Sequence, residues 1–448
     1  MVNSKTSLVG LFSRLEASRI MVIGDFMLDT YTIGKVRRIS PEAPVAVLQV
    51  ERQESRPGGA GNVILNLLSL GCSVTAIGRI GRDLPGQTIL HALAAENVDI
   101  EEMVVQDDFQ TPVKNRLIAD NQQIVRVDFE TAQTLPKELE AQILEGVARK
   151  LPGIQVVAIS DYAKGVFSRS LIAGIIKLAR AHNIPVIVDP KDRDFSKYAG
   201  ATLIKPNLSE AYAAVGLAPN ASLDEAAAKI LKDTGAEVLL ITRSKEGISI
   251  FEKKGTRKDF PVRAREVKDV TGAGDTVLAM ISCAIANRLT IAEASQLANV
   301  AAGIAVEHIG CARVSLSQLA QCLLETDVVN KVFDEEHLFA LQRALEKTPF
   351  IVLALQESAH LTPAVFKCIR QAAATASANK IQRRLIVYVP DTNPSEEFID
   401  LLASFPIVSF IVLKRASLDA LCENMQPEAV CLIENDQLVF LDSVVLPL

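Results

Sequence analysis

From about residue 150 onward one pattern recurs, a short apolar run followed by a helical stretch, and this rhythm limits the possible folds more than any other feature. Val156–Ser160, Pro185–Asp189, Thr202–Lys205 and Val238–Thr242 are the apolar runs. Strands that are apolar throughout are buried on both faces, and helical crossovers between them impose a mainly parallel sheet. Ligands of such sheets sit at the carboxyl ends of the strands. Polar residues gather at those ends: Asp25 with Asp29, Asp161 with Lys164, Asp189 with Lys191, Asn207 with Glu210, and Thr242 with Arg243. Their repeated placement marks a crevice built for chemistry.

The rest of the chain is read around this core. Leu8, Leu11, Phe12 and Leu15 recur at helical spacing within the first 20 residues, and Ile20–Ile23 is a short strand ending at Gly24-Asp25. Segments 42–52 and 110–130 alternate apolar and polar residues like half-buried strands. Asn62–Leu70 reads as a helix and Val74–Gly78 as a strand. A helix-rich stretch over 275–325 closes the unit, and the pattern restarts around Val328–Glu336. Strands at Phe350–Leu355, Leu385–Val389 and Val408–Leu413 then alternate with helices at Thr362–Ser377 and Glu396–Ser404. The expectation is an α/β domain over 1–327 and a smaller α/β domain over 335–448.

Composition narrows the function classes. The 448 residues are 49% hydrophobic and 22% charged, as in ordinary globular proteins. Forty-seven Lys and Arg against 53 Asp and Glu give −6, which disfavours a nucleic-acid partner. No apolar stretch has the ~20 residues of a membrane span. Residues 1–20 lack a signal-peptide pattern, so a cytoplasmic location is expected. The seven cysteines form no C-x-x-C pair and their number is odd, which points to reduced thiols. Zinc is not expected, since the five histidines show no ligand spacing.

Four groups of residues carry chemistry. In Asp269-Val-Thr-Gly272-Ala273-Gly274-Asp275, two glycines at a loop-to-helix junction let backbone N–H groups converge on an anion. A carboxylate facing that anion is costly unless it works as a base toward a phosphoryl acceptor, and Asp275 fits that role. The plain alternative is a glycine-rich helix start. Gly58-Gly59-Ala60-Gly61-Asn62 permits close backbone approach, with Asn62 able to donate to and accept from sugar hydroxyls; a flexible turn would look the same. Asn207-Leu-Ser-Glu210 could order water around a magnesium ion carried by ATP, or simply cap a helix. Lys114, Arg116 and Arg126 lie on strands, where they suit a phosphorylated substrate or a solvated face. No P-loop occurs, and no G-x-G-x-x-G follows a strand.

These motifs in this order resemble the ribokinase (PfkB) family of sugar kinases, whose two signatures correspond to Gly58–Asn62 and Asp269–Asp275. Over residues ~20–325 the chain is more closely similar to the D-glycero-β-D-manno-heptose-7-phosphate kinases. The similarity lies in Gly24–Asp29, Arg38–Pro44, Arg56–Gly59, Asn121–Gln123, Ser160–Gly165, Asp189–Lys191, Pro206–Glu210 and Thr242–Ser244. Gly61 stands where those kinases usually carry Ala. The resemblance implies a ribokinase-like, mainly parallel sheet flanked by helices with a small β-lid. It also implies ATP-dependent phosphorylation of the anomeric hydroxyl of heptose 7-phosphate. Asp275 would be the general base, with the N–H groups of Gly272, Ala273, Gly274 and Asp275 as the anion hole. Asp25, Asp29, Gly58, Gly59, Asn62, Lys114, Arg116, Arg126, Asp161 and Lys164 would serve the sugar phosphate. Asp189, Lys191, Asn207, Glu210, Thr242, Arg243, Gly247 and Asn299 would serve ATP, Asn207 and Glu210 holding Mg²⁺ through water. Asp269 would belong to a K⁺-binding loop, and a homodimer would form through the lid, within 30–52 and 110–130.

The C-terminus departs from that pattern. Many relatives add a nucleotidyltransferase with an H-x-G-H motif, whereas His337 and His360 here stand alone. Residues 335–448 are therefore expected to be a degenerate nucleotidyltransferase-like domain, with an unrelated α/β appendage as the alternative. The competing functions are a kinase of another sugar phosphate, a non-catalytic binder of ATP or sugar phosphate, and a bifunctional enzyme.

Overall fold

The computed structural model describes residues 8–120, 122–218, 221–262, 267–308, 310–326, 331–333, 338–346, 348–356, 362–376, 383–391, 394–413, 417–434 and 437–441. Asn121, His337 and His360 lie outside the described residues, as do 328–330 and 334–336 of the stretch where the pattern restarts. The chain divides into Leu15–Ser315, and Met1–Arg14 together with Leu316–Leu448. The first helix, α1 (Leu8–Ser13), falls in the smaller unit.

The larger unit opens with β1 (Arg19–Ile39), β2 (Ala46–Gly59), α2 (Ala60–Ser69), β3 (Ser73–Gly81), α3 (Leu84–Ala95) and β4 (Met103–Gln106). The hairpin β5 (Val113–Ala119) and β6 (Gln122–Phe129) comes next. The alternating part contains α4 (Lys137–Lys150), β7 (Val156–Ser160), α5 (Arg169–Ala181), β8 (Val186–Asp189), β9 (Leu203–Ile204), α6 (Leu208–Val215), α7 (Leu223–Thr234) and β10 (Val238–Thr242). The unit ends with β11 (Ile248–Glu252), β12 (Arg257–Phe260), α8 (Ala273–Ala286) and α9 (Ile291–Ala305).

The main sheet runs β12–β11–β10–β9–β8–β7–β1–β3–β4. It is parallel from β10 to β4, and β11 and β12 add antiparallel at one edge. The cause is local: β7 is buried at every position, and α5 buries Leu171, Ile172, Ile175, Ile176 and Ala179 against the sheet. Each of these leucines and isoleucines contributes about 1.5–3 kcal/mol. Ser168 starts α5 by accepting the Leu171 N–H, so the helix leaves the crevice at a defined residue.

β1 is far longer than the Ile20–Ile23 run read from sequence, because burial continues through Thr32 while Asp25, Asp29, Thr30 and Thr32 interrupt the apolar run. Arg19–Asp25 pair with β3, and Ile20–Gly24 of that stretch also with β7; from Phe26 the strand leaves that sheet and pairs with β2 and β5. With β6 on β5, this makes a four-stranded lid. Among the described residues the helix expected over the first 20 residues is α1, and the strand expected at 42–52 extends as β2 to Gly59.

The smaller unit continues with α10 (Leu316–Thr326), β13 (Val332–Phe333), α11 (Leu338–Leu345), β14 (Phe350–Ala354), α12 (Pro363–Ala376), β15 (Arg384–Val389) and α13 (Glu396–Ala403). β16 (Phe410–Leu413), α14 (Leu418–Met425), β17 (Ala429–Glu434) and β18 (Gln437–Phe440) complete it. Its sheet, β13–β16–β15–β14–β17–β18, is parallel except for β18. Ile351, Leu353, Leu385, Val387 and Ile411 pack with Ile369, Ala372 and Leu402 as its core. The sequence pattern puts α1 and α10 in the first domain; here Phe12 stacks on Phe339 of α11 at 5.7 Å between ring centroids, and both helices group with this unit.

Candidate active site

α8 begins at the loop end where Gly272 takes φ +79°. A Cβ there would stand 2.9 Å from Asn62 Nδ2 and 3.3 Å from Cys311 Sγ, so a side chain would be both strained and crowded. The Ala273 N–H donates to the Val270 carbonyl at 3.3 Å. The N–H groups of Gly274 and Asp275 have no acceptor among the described residues, and they stand where a helix offers positive charge to an anion. Of the anion hole expected over Gly272–Asp275, the Ala273 N–H is the one already spent on a carbonyl among the described residues.

Asp275 is 3% exposed and accepts hydrogen bonds at 2.7 Å from Asn62 Nδ2 and at 2.7 Å from the Tyr162 hydroxyl. Burial raises its carboxyl above the usual range, opposed by those two donors and by Lys205. It is a buried carboxylate with its proton affinity increased, placed beside amides that have no acceptor among the described residues.

A cavity of about 640 Å³ opens from this point. Asp275, Gly272, Ala273, Gly274, Asp161, Asp189, Lys191, Asn207, Glu210, Thr242, Arg243, Gly247 and Asn299 all line it. Near Gly274, Lys205 Nζ lies 2.9 Å from the Asp189 carboxylate, and burial pushes that carboxyl up to about 6 against the pull of the lysine. Lys191 pairs with Glu210 at 2.5 Å. Asn207 and Glu210 form a reciprocal capping box: Asn207 Oδ1 accepts the Glu210 N–H at 2.9 Å, and Glu210 Oε2 accepts the Asn207 N–H at 2.8 Å. The capping alternative is thus present, and it fixes both side chains at the cavity wall. Asn299 donates to the carbonyls of Phe260 and Pro261, and Arg243 pairs with Glu246, so these two shape the wall. Val262, Val267, Val270, Ala302 and Val306 make one part of the lining apolar, as a flat aromatic base requires.

The sugar-side residues gather where β1 passes into the lid. Asp29 and Arg116 form a buried ion pair at 2.6 Å. A Cβ on Gly58 would meet Asp29 Oδ2 at 2.1 Å, so this glycine lets the backbone lie against the carboxylate. Gly59 ends β2, and Asn62 is buried in the first turn of α2. Asp25 is 1% exposed and its carboxyl is pushed up to about 6, first by burial and then by Asp161. Lys164 Nζ pairs with Glu130 at 2.6 Å. Arg126 is exposed and pairs with Asp128 on its own strand. Asp161 spends its carboxylate on the Ala163 N–H, the Tyr198 hydroxyl and Lys197. Lys114 keeps its Nζ 5.4 Å from the Tyr162 ring centroid, and burial lowers its pKa. Asp269 accepts from the Thr271 N–H and hydroxyl and from the Gly310 N–H, so as placed it braces the anion-hole loop. Among the described residues no group of three or more His, Cys, Asp or Glu could hold a metal ion.

Sequence reasoning missed Tyr162, Lys205 and Arg79 as site residues. Tyr162 and Lys205 reach the site through contacts more than 100 residues distant or from a neighbouring strand end, which no local spacing signals. Arg79 is buried, stacks on Phe109 and donates to the Lys164 carbonyl at 3.0 Å. A charged residue inside an otherwise apolar strand was the available clue.

A model of the pfkB family of carbohydrate kinases matches residues 17–318. A protein of Trichlorobacter lovleyi named Bifunctional protein HldE is 45% identical over 341 residues, 75% of this chain and 70% of that protein. One of the same name from Geobacter sulfurreducens is 44% identical over 315 residues; the match covers 70% of this chain and, at 64%, less than two thirds of the relative. Among solved structures, phosphofructokinase-2 from Escherichia coli in complex with potassium superposes with a TM-score of 0.59 at 22% identity, covering 69% of this chain and 99% of that one. Arabidopsis thaliana ribokinase complexed with ribose and ATP gives 0.54 at 19% identity, covering 69% and 99%. Both show the same fold. No described helix is long and apolar enough to cross a membrane.

Proposed function

The chain belongs to the pfkB family of carbohydrate kinases, and on that premise we propose that it phosphorylates the anomeric hydroxyl of D-glycero-β-D-manno-heptose 7-phosphate with ATP, giving the 1,7-bisphosphate. The observation that carries the reading is Asp275, a buried carboxylate with raised proton affinity beside the Gly274 and Asp275 amides, which have no acceptor among the described residues. Asp275 takes the proton of the sugar hydroxyl. The Gly274 and Asp275 amides and Lys205 offset the negative charge that builds during transfer. The apolar wall fits an adenine, and the cavity volume suits a nucleotide. Asn207 and Glu210 would hold magnesium through water, and the ion supplies charge neutralisation when bound with ATP. Asp269 already spends its carboxylate on Thr271 and Gly310, so no step is assigned to a monovalent cation.

One observation favours a second reading. Arg116 and Arg126 are ion-paired, so Lys114 is what remains of the basic set for the substrate's own phosphate. A sugar of another length, or one without that phosphate, therefore stays in play. The C-terminal unit is proposed as a degenerate nucleotidyltransferase-like domain, supported by its doubly wound strand order and the missing H-x-G-H. A cytoplasmic location is supported by its ATP use and seven free cysteines. A homodimer through the lid is supported by Ile124, Val125 and Phe129, which β6 exposes.

The test is phosphorus NMR of the protein with Mg·ATP and heptose 7-phosphate, with fructose 6-phosphate and unphosphorylated heptose in parallel. A new anomeric phosphate signal with the heptose phosphate alone is expected. Turnover of only another sugar would overturn the substrate, and none with any sugar would overturn the kinase reading.

A further inference from the structure

The five residues Asp161–Gly165 form a turn that costs more to build than a plain connection. Ala163 sits at φ +55°, in the left-handed region that residues with a side chain avoid. Three successive N–H groups are taken by buried carboxylates. The Tyr162 and Lys164 N–H groups donate to Asp25 Oδ2 at 2.8 and 3.2 Å, and the Ala163 N–H donates to Asp161 Oδ1 at 2.8 Å. Asp25 is also left with a buried Oδ1 that has no partner among the described residues. Asp161 is itself held by Tyr198 and Lys197, and the Lys164 carbonyl by Arg79. Two buried carboxylates and a strained alanine thus fix one turn, and its outcome is the position of the Tyr162 side chain. The phenol donates to Asp275 Oδ1 at 2.7 Å, and the ring receives Lys114 Nζ at 5.4 Å and Lys191 Nζ at 5.9 Å.

We propose that Tyr162 is a positioning residue for phosphoryl transfer: its hydroxyl, aimed by the Asp25- and Asp161-bound turn, holds the Asp275 carboxylate in its reactive orientation and keeps it in the anionic form. The proposal rests on Asp275 being the base in the reading above. Tyr162 cannot replace that base, since burial and the neighbouring Asp275 charge hold its own proton tightly. Asp275 is faced by Asn62 from α2 and by Lys205 beyond β9. The charges of Asp29 on β1, Asp189 on β8 and Lys191 also act on it, and the Cys311 thiol beside it is kept protonated and neutral by burial. Tyr162 is the one phenol that touches it, so deleting a single oxygen isolates its effect.

The experiment is a carboxyl titration of the full-length protein, substrate-free, by carbon-13 NMR of labelled aspartate, with Asp275 assigned by its loss in Asp275→Asn. In Tyr162→Phe the Asp275 midpoint is expected to rise by about one pH unit, as loss of one hydrogen bond to a charged group implies. With 3-fluorotyrosine placed at position 162, a more acidic phenol is a stronger donor, and the midpoint is expected to fall. The second variant keeps the ring and the oxygen and decides the matter if the first does not fold. Midpoints unmoved by both changes would overturn the proposal. Under turnover conditions Tyr162→Phe should lower kcat about tenfold or more and move the acid limb of kcat/KM upward, with KM for ATP unchanged. An unshifted limb would reduce Tyr162 to packing. Because the titration needs no sugar, turnover of only another sugar would count against the proposed substrate and leave the role of Tyr162 to be decided by the midpoints, whereas a wild type silent toward every sugar would overturn the kinase reading and this proposal with it.

Discussion

Replacing Asp275 with Asn is close to isosteric, and the structure allows its consequences to be worked out in advance. Asp275 accepts from Asn62 through one oxygen and from Tyr162 through the other. An asparagine can keep its oxygen toward Asn62, which has only hydrogen to offer there, and turn its amide toward the phenol, which can accept as well as donate. The packing therefore survives. The negative charge does not, and burial had already made that charge unfavourable. The melting temperature at pH 7 should accordingly stay level or rise. Catalysis should suffer in full, since an amide cannot take the hydroxyl proton; loss of a general base costs about 10²–10⁴ in kcat. ATP affinity should be unchanged or tighter, because a carboxylate no longer faces the terminal phosphate. Coupled ADP release gives kcat, calorimetry gives ATP affinity, and a thermal melt confirms the fold. A variant within tenfold of wild-type kcat would refute the base assignment, and a variant that no longer binds ATP would refute the view that Asp275 acts only on the acceptor.

Three further outcomes are expected. Arg116→Met strands the buried Asp29 charge and should cost about 3–5 kcal/mol in a urea melt; Arg116→Met with Asp29→Leu should recover most of that while leaving the kinase inactive. The folded Asp25 carboxyl, at about 6 against an ordinary 3.8, binds its proton more tightly than in the unfolded chain, so its contribution to stability is present below pH ~4 and lost as pH rises through ~6. Asp25→Asn should therefore gain about 3 kcal/mol relative to wild type between pH 4 and 7, and a flat difference across that range would remove the buried-acid assignment. A fragment of residues 15–315 should be soluble and active, whereas 1–326 should aggregate on gel filtration, because Leu11, Phe12, Leu319 and Leu323 are buried by contacts within the smaller unit. The reverse ranking would place α1 and α10 with the kinase.

Local signals made much of this legible. The parallel core was readable because β7, β8 and β10 are apolar along their length and β7 leads into a capped amphipathic helix. Asp275, Gly272 and the Asn207–Glu210 pair were readable because their chemistry is contained within a few residues at a helix start. Tyr162 and Lys205 were not, since their meaning comes from partners that only the fold brings near. Arg116 and Arg126 read as cations available to a phosphate, yet the carboxylates that neutralise them are revealed only by strand register or by a side chain two positions along. The grouping of α1 and α10 with the smaller unit was not legible, because an amphipathic stripe does not reveal which core it covers.

The passage of β1 from one sheet to the other has a consequence for exchange of parts between related kinases. Asp25 is the last residue paired with β3, and Asp29, four positions on, is already paired with β2 and β5. The lid is therefore no detachable cassette. Any crossover that imports a foreign lid must cut the strand between two carboxylates about 13 Å apart, or carry one of them along with it. Chimaeras joined at the ends of β2 or β6 inherit a matched Asp25 and Asp29 only if all of β1 comes from a single parent.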